Sequence, residues 1–194
     1  TLNHLGFGHY GGSLSVVEVL AVLYGKVMNM APEQFKKKDR DYFVLSKGHA
    51  GPALYSTLYL KGFFDKDFLH SLNTNGTRLP SHPDRNLTPG VDMTTGSLGQ
   101  GISVATGIAY GQIINDSPHF TYTIVGDGEL NEGQCWEAIQ FAAHHKLRNL
   151  LVFVDDNKKQ LDGTTEEVCN PGDFVEKFKA FGFETIRVDG SDIK

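Results

Sequence analysis

Two short segments hold residue types that could bind a charged ligand. Gly126-Asp127-Gly128-Glu129-Leu130-Asn131-Glu132-Gly133 follows an apolar run ending at Val125, and Asp155-Asp156-Asn157 follows another ending at Val154. Carboxylate, amide oxygen and backbone carbonyl are hard donors that suit Mg²⁺ or Ca²⁺, and Mg²⁺ is usually held by few protein ligands together with phosphate oxygens. Gly126 and Gly128 permit a tight turn with close backbone approach, and a helix N-terminus just beyond offers free N–H groups to a phosphate. Asp127 inside that turn would repel a bare phosphate. A divalent cation between the carboxylate and a diphosphate removes the conflict. The next glycine, Gly133, falls five positions after Gly128 instead of three, so this is not the dinucleotide fingerprint, and no Gly-Lys-Ser/Thr marks a P-loop. Taken alone, Gly-Asp-Gly fits an ordinary strand-to-helix turn equally well.

Three of the eight histidines, His9, His49 and His82, lie beside Gly or Pro in expected loops. An imidazole in a cleft suits proton shuttling near neutral pH; the same residues also serve as polar loop positions with a turn role. His144-His145, on an expected helix beside a lysine, reads as structural or solvated. Trp136 and Phe141 at helical spacing read as core or interface.

The elements that must position these groups follow from the apolar pattern. Ser13 is the expected N-cap of a helix of about four turns, with Val16, Val17, Leu20, Leu23, Tyr24 and Val27 on one side. Residues 42–45 form a short buried strand leading into Ser46-Lys47-Gly48-His49, and a second helix runs through Leu54, Leu58 and Tyr59. Residues 73–95 lack periodicity and contain Pro80, Pro83 and Pro89, an ordered loop of a length that is more often functional than idle. A third helix opens after Gly96-Ser97-Leu98-Gly99-Gln100-Gly101. Strands over 120–125, 150–154 and 184–188 alternate with helices over 132–145 and 173–181. Alternation of this kind indicates βαβ units in a three-layer, doubly wound α/β fold, a parallel sheet with helices on both faces. Right-handed crossovers gather the loops that follow the strands along one sheet edge. Consecutive parallel strands lie about 4.8 Å apart, which puts Asp127 and Asn157 at neighbouring strand ends.

The composition narrows the class. The chain has 194 residues with 18 Lys+Arg against 23 Asp+Glu, a formal charge of −5, and so lacks the basic excess that non-specific nucleic-acid binding draws on. Lys36-Lys37-Lys38 is followed at once by Asp39 and reads as a solvated patch. The two cysteines, Cys135 and Cys169, form no Cys-x-x-Cys, so neither a disulfide framework nor a zinc ribbon is indicated, and a reduced cytoplasmic compartment is expected. No apolar run reaches the roughly 18 residues that span a bilayer, and no membrane role is expected.

The spacing of Asp127 and Asn157, 30 residues across a strand–helix–strand crossover, resembles the diphosphate and metal signature of thiamine-diphosphate enzymes. Six segments together resemble transketolase and follow that family's order. They are Gly8-His9-Tyr10-Gly11-Gly12-Ser13, Ser46-Lys47-Gly48-His49, Leu79-Pro80-Ser81-His82-Pro83, Thr94-Thr95-Gly96-Ser97-Leu98-Gly99-Gln100-Gly101, the stretch from Asp127 to Glu132, and Asp156-Asn157-Lys158-Lys159-Gln160-Leu161-Asp162-Gly163. The resemblance implies a metal held by Asp127, Asn157 and the Lys159 carbonyl, Mg²⁺ with Ca²⁺ or Mn²⁺ as substitutes. It implies cofactor contacts from Gly96, Ser97, Leu98, Gly126, Asp127, Gly128, Glu129 and Asn157, with 96–98 on the aminopyrimidine side and Gly128 at the diphosphate. His9, His49 and His82 match the family's active-site histidines, and Glu132 a glutamate of the subunit interface. Two positions depart from the pattern: Tyr10 stands where proline is common, which bears on acceptor preference, and Asp156 replaces the first of a usual Asn-Asn pair.

No part of the sequence resembles the family's pyrimidine-binding domain, which supplies the glutamate that activates the cofactor, nor its C-terminal domain. The expectation is a single diphosphate-binding domain over residues 1–194, trimmed at both ends. It would be inactive by itself and act on sugar phosphates with a C-terminal transketolase subunit or domain in a dimer or heterotetramer. It would be either a natural split subunit or a segment of a longer chain. The implied reaction transfers a two-carbon ketol unit from a ketose phosphate to an aldose phosphate. Alternatives are a deoxyxylulose-phosphate synthase or dihydroxyacetone synthase, a cofactor-binding module without catalysis, and a metal-dependent hydrolase using Asp127 with His49 and His82.

Overall fold

The structure, a computed structural model, describes residues 1–193. Three apolar runs pair in parallel: β1 (Tyr42–Leu45), β2 (Thr121–Gly126) and β3 (Leu150–Asp155), in the order β1-β2-β3. The register sets Val125 beside Val154 and Gly126 beside Asp155, so the C-terminal ends of β2 and β3 finish side by side. Alternate residues serve opposite faces, as strand geometry requires. Phe43, Leu45, Tyr122 and Ile124 enter one core, shared with Leu20, Leu54, Tyr55 and Leu58. Val44 packs with Ala105, Ala109 and Ala142 on the other face, and Val125 with Ile102 and Ile139.

On the first face, the chain from Leu2 to Val27 and α4 (Gly51–Leu60) cover the sheet. After α1 (Leu2–Leu5), the four-turn helix expected from Ser13 is broken into pieces, the end of α2 (Tyr10–Leu14), α3 (Val17–Val22) and a π-helical turn at Leu23–Val27. Ser13 is not its N-cap. His9 holds that position, and Ser13 is buried inside α2. The interruption falls where Ser15 turns its hydroxyl to the Gly12 carbonyl (3.3 Å) and to Asp155 (2.6 Å), a tertiary bond competing with helical continuity. α5 (Lys66–His70) is a short further helix capped by Asp65.

On the second face lie α6 (Gln100–Ile114), α7 (Gly133–His144) and, at the end of the described chain, α9 (Phe174–Ala180), capped by Asp173. A small antiparallel hairpin, β4 (Lys159–Gln160) with β5 (Gly163–Thr164), follows β3 and runs into α8 (Thr165–Cys169), whose Thr164 and Glu167 form a capping box. The strand expected over 184–188 does not form. Alternation of Ile186 and Val188 with polar neighbours promises a half-buried strand, but both stand exposed and pair with no described strand. Trp136 packs on Phe178 and Phe181 and donates its indole N–H to the Leu130 carbonyl (2.8 Å), a core role as expected. His145 lies against Phe141 and Tyr110. Cys135 and Cys169 are free thiols.

Residues 73–95 contain no helix or strand and are tied down instead. Asp92 accepts from both Arg40 terminal nitrogens (2.6 and 3.2 Å) and from the Phe43 N–H (2.9 Å), anchoring the loop's end to β1. Tyr55 donates to the Pro80 carbonyl (2.8 Å), and Thr95 N–H to that of Pro83 (3.0 Å), fixing the stretch that carries His82.

Helix α6 meets the end of β1 with no room to spare. A Cβ on Gly101 would lie 2.4 Å from Ser46 Cα, backbone against backbone, whereas one on Gly107 of the same helix would meet nothing within 4 Å. Gly101→Ala is therefore expected to cost about 1–3 kcal/mol of stability, the usual range for an overpacked site. Gly107→Ala is expected to add about 0.5–1 kcal/mol by removing a helix-interior glycine. Urea unfolding of the two variants against the parent checks the opposite signs.

Candidate active site

The site is assembled along the edge where the parallel strands end. Asp127 is the first residue beyond β2. It is nearly inaccessible, its N–H donates to the Asp155 carbonyl (3.1 Å), and its carboxylate accepts from the Gly128 N–H (2.8 Å) and the Lys158 N–H (2.7 Å). That last bond joins the turn after β2 to the one after β3. Lys158 adopts a left-handed backbone (φ 62°), costly for a residue with a Cβ, and the turn lets the Asn157 amide oxygen accept from the Lys159 N–H (2.9 Å). Asn157 Nδ2 in turn donates to Asp155 (3.2 Å). Gly128 is required sterically: a Cβ there would sit 2.8 Å from Gln160 Cβ in the hairpin.

Three carboxylates converge here with unequal compensation. Asp155 is paired with the Lys47 ammonium and with Ser15, and Asp156 with Lys158 (2.6 Å). Among the described residues no cationic side chain forms an ion pair with Asp127. Burial raises its pKa above the ordinary value, the two backbone N–H groups oppose that, and Asp156 and Asp155 raise it further. A buried carboxylate with amide donors but no cationic side chain, beside an amide oxygen and two more carboxylates, fits a hard divalent cation.

The histidines meet over the same edge. The loop after β1 brings His49 forward, His9 caps the start of α2, and the 73–95 loop delivers His82. Ring centroids are 4.7 Å apart for His49 and His82, 4.9 Å for His9 and His49, and 6.1 Å for His9 and His82. Buried His82 Nε2 has no hydrogen-bond partner among the described residues. Gly96 (φ 144°) lies against the His82 ring, and a Cβ on Gly48 would come within 2.7 Å of the Gly96 nitrogen, so the two loops touch through their glycines.

Burial lowers the pKa of His49, with His82, His9 and Lys47 adding to the effect, and burial then His9 lower that of His82. Both rings are thus held neutral at pH 7, the form able to accept a proton. The unfolded chain takes up protons near the ordinary value of 6.5, before the folded one does, so stability falls as pH drops below about 6.5. Melting temperatures between pH 7.5 and 5.5 are expected to fall less steeply in His49→Gln than in the parent; an unchanged slope would remove His49 from the titration.

Glu129 lies in the turn after β2. Its carboxylate turns inward and accepts from Ser46, Gly99 and Gly126, inside the protein instead of toward the open edge. Glu132 is exposed at the start of α7 and makes no side-chain cap bond there.

A sequence family described as the thiamine diphosphate-binding domain of transketolase matches residues 1–194. The chain belongs to that family. A transketolase relative, the 6-deoxy-6-sulfo-D-fructose transketolase subunit of Clostridium sp. (strain MSTE9), is 51% identical over 97% of this chain and 69% of its own length. An apulose-4-phosphate transketolase subunit of Actinobacillus succinogenes is 40% identical over 96% of this chain and 68% of its own length. Among solved structures, the transketolase of Campylobacter jejuni superposes with a TM-score of 0.90 at 32% identity, over 99% of this chain and 31% of that one. That of Leishmania mexicana gives 0.85 at 33%, over 94% and 32%. The chain thus spans about two thirds of the transketolase subunits it matches and a third of the solved transketolases.

Asp127, Asn157 and the three histidines, to which the transketolase likeness points, are brought to one edge by the fold. That likeness missed Ser46, Lys47 and Asp155 as network members. Ser46 and Lys47 stand in the motif that leads to His49, but their partners lie 83 and 108 residues away, beyond any local pattern. Among the described residues no helix is long and apolar enough to cross a membrane.

Proposed function

We propose that this chain is the diphosphate-binding half of a cytoplasmic transketolase, a single domain that holds thiamine diphosphate and Mg²⁺ and acts with a pyrimidine-binding partner subunit or domain on sugar phosphates. The observation that carries the reading is the joining of two strand tips through the bond from the Lys158 N–H to Asp127, with three histidine rings in mutual contact along the same edge.

Thiamine diphosphate, when bound, supplies the electron sink for breaking and remaking a carbon–carbon bond. Asp127, the Asn157 amide oxygen and the Lys159 carbonyl would hold the cation, with Gly126 and Gly128 leaving space for a diphosphate. Gly96, Ser97 and Leu98 would flank the aminopyrimidine end. The Leu98 carbonyl is fixed by the Gln134 amide (2.8 Å), itself bonded to Gln100 (2.8 Å), which makes that segment rigid. His9, His49 and His82 would bind the substrate's hydroxyl and carbonyl oxygens and carry protons to and from them. Glu132 would meet the partner.

Calorimetric titration of thiamine diphosphate with Mg²⁺, with and without the partner half, tests the proposal, together with transfer from a ketose phosphate to an aldose phosphate. Tight binding and transfer are expected only with the partner present. Pyruvate consumption without transfer would reassign the chain to a synthase, and hydrolysis without thiamine diphosphate would remove the cofactor reading altogether.

A further inference from the structure

Glu129 is a buried carboxylate whose work is not explained by cation binding or by proton transfer. Its Oε1 accepts from the Ser46 hydroxyl at 2.6 Å and from the Gly99 N–H at 2.9 Å, and its Oε2 accepts from the Gly126 N–H at 3.1 Å. Ser46, fully buried, accepts the Ile102 N–H at the same hydroxyl (2.8 Å), which extends the network into the first turn of α6.

The donors come from three segments with different tasks. Ser46 begins the loop that presents His49. Gly99 ends the stretch of Gly96, Ser97 and Leu98. Gly126 closes β2 one residue before Asp127. Glycines permit the close approach: a Cβ on Gly48 would strike the Gly96 nitrogen, and one on Gly101, at the start of α6, would strike Ser46. One carboxylate is thus the common acceptor of three loops already pressed together. A carboxylate is suited to this, since it has only acceptors, and bonds to an ionised acceptor are roughly twice as strong as neutral ones.

Resting on the functional reading above, we propose that Glu129 is a positioning residue: it locks the loops at 46–49, 96–99 and 126–128 in one relative placement, and thereby sets the affinity of the site for thiamine diphosphate. Its carboxylate acts on the site through these three donors. Glutamine in its place keeps the size but has a single acceptor oxygen, so whichever way the amide turns, either the Gly126 or the Gly99 N–H faces an NH₂ group.

The test uses Glu129→Gln and Glu129→Ala in the full chain with its partner half. Amide hydrogen exchange is followed by NMR at Gly99, Ile102 and Gly126, and thiamine diphosphate affinity is measured at saturating Mg²⁺. For Glu129→Gln the expected result is exchange faster by tenfold or more at one of the two glycines, parent-like exchange in α4 and α9, and affinity weaker by about tenfold or more, the loss of one charge-assisted bond. Glu129→Ala is expected to speed exchange at all three amides. Parent-like exchange at both glycines in Glu129→Gln would overturn the proposal, as would a uniform acceleration across the chain or a local acceleration with unchanged affinity. Should the parent complex bind no thiamine diphosphate, the functional reading fails on that count, and exchange alone decides whether Glu129 locks the loops.

Discussion

Asp127→Ala is expected to weaken Mg²⁺-dependent binding of thiamine diphosphate by at least about 100-fold, equivalent to about 2.7 kcal/mol. The size follows from what the side chain does. It is a buried carboxylate at the meeting of two strand tips, without a cationic partner among the described residues, and both its oxygens hold backbone N–H groups, those of Gly128 and Lys158. Alanine removes the charge that would meet the cation and leaves two N–H groups without their acceptor. Each of these losses is worth about 1–3 kcal/mol where water cannot substitute. Asp127→Asn separates the terms, because it can keep one N–H bond while losing the charge. Titration at several Mg²⁺ concentrations checks both variants. If Asp127→Ala bound the cofactor as well as the parent, the metal assignment would be wrong.

The second large effect is expected in turnover. With the partner half present, His49→Asn and His82→Asn should each lower kcat by about 100-fold or more, the lower range of positioned acid–base groups, with cofactor affinity close to the parent's. Their rings stand 4.7 Å apart, and His49 also touches His9, so the double variant should lose far less than the product of the single losses. Steady-state kinetics on the singles and the double test this. Fully multiplicative losses would mean that the rings act independently, against the contact observed.

Much of this architecture was written in the order of residues. Runs such as Tyr42-Phe43-Val44-Leu45 and the stretch from Phe120 to Val125 read as strands because nearly every position is apolar or small enough for a sheet covered on both faces, and both form, the second one residue later at Thr121–Gly126. Once those strands are parallel, Asp127 and Asn157 have to arrive at one edge. Local pattern failed where a distant partner decides. The segment from Ser13 to Val27 has helical periodicity, yet Ser15 bonds Asp155 from 140 positions away and the helix is interrupted. Residues 184–188 have strand periodicity, but a strand needs a neighbour. The inward turn of Glu129 was likewise hidden, since its acceptors are matched by donors 83 and 30 residues earlier.

The glycine contacts around the cleft bear on how such a protein can be altered. Gly48, Gly101 and Gly128 each abut another part of the chain so closely that even a methyl group would displace it. Directed evolution toward new ligands should therefore find its gains at the rim, at accessible positions such as Tyr10, while clones randomised at these glycines return as misfolded material. The floor of this cleft tolerates little revision, and novelty must enter from its mouth.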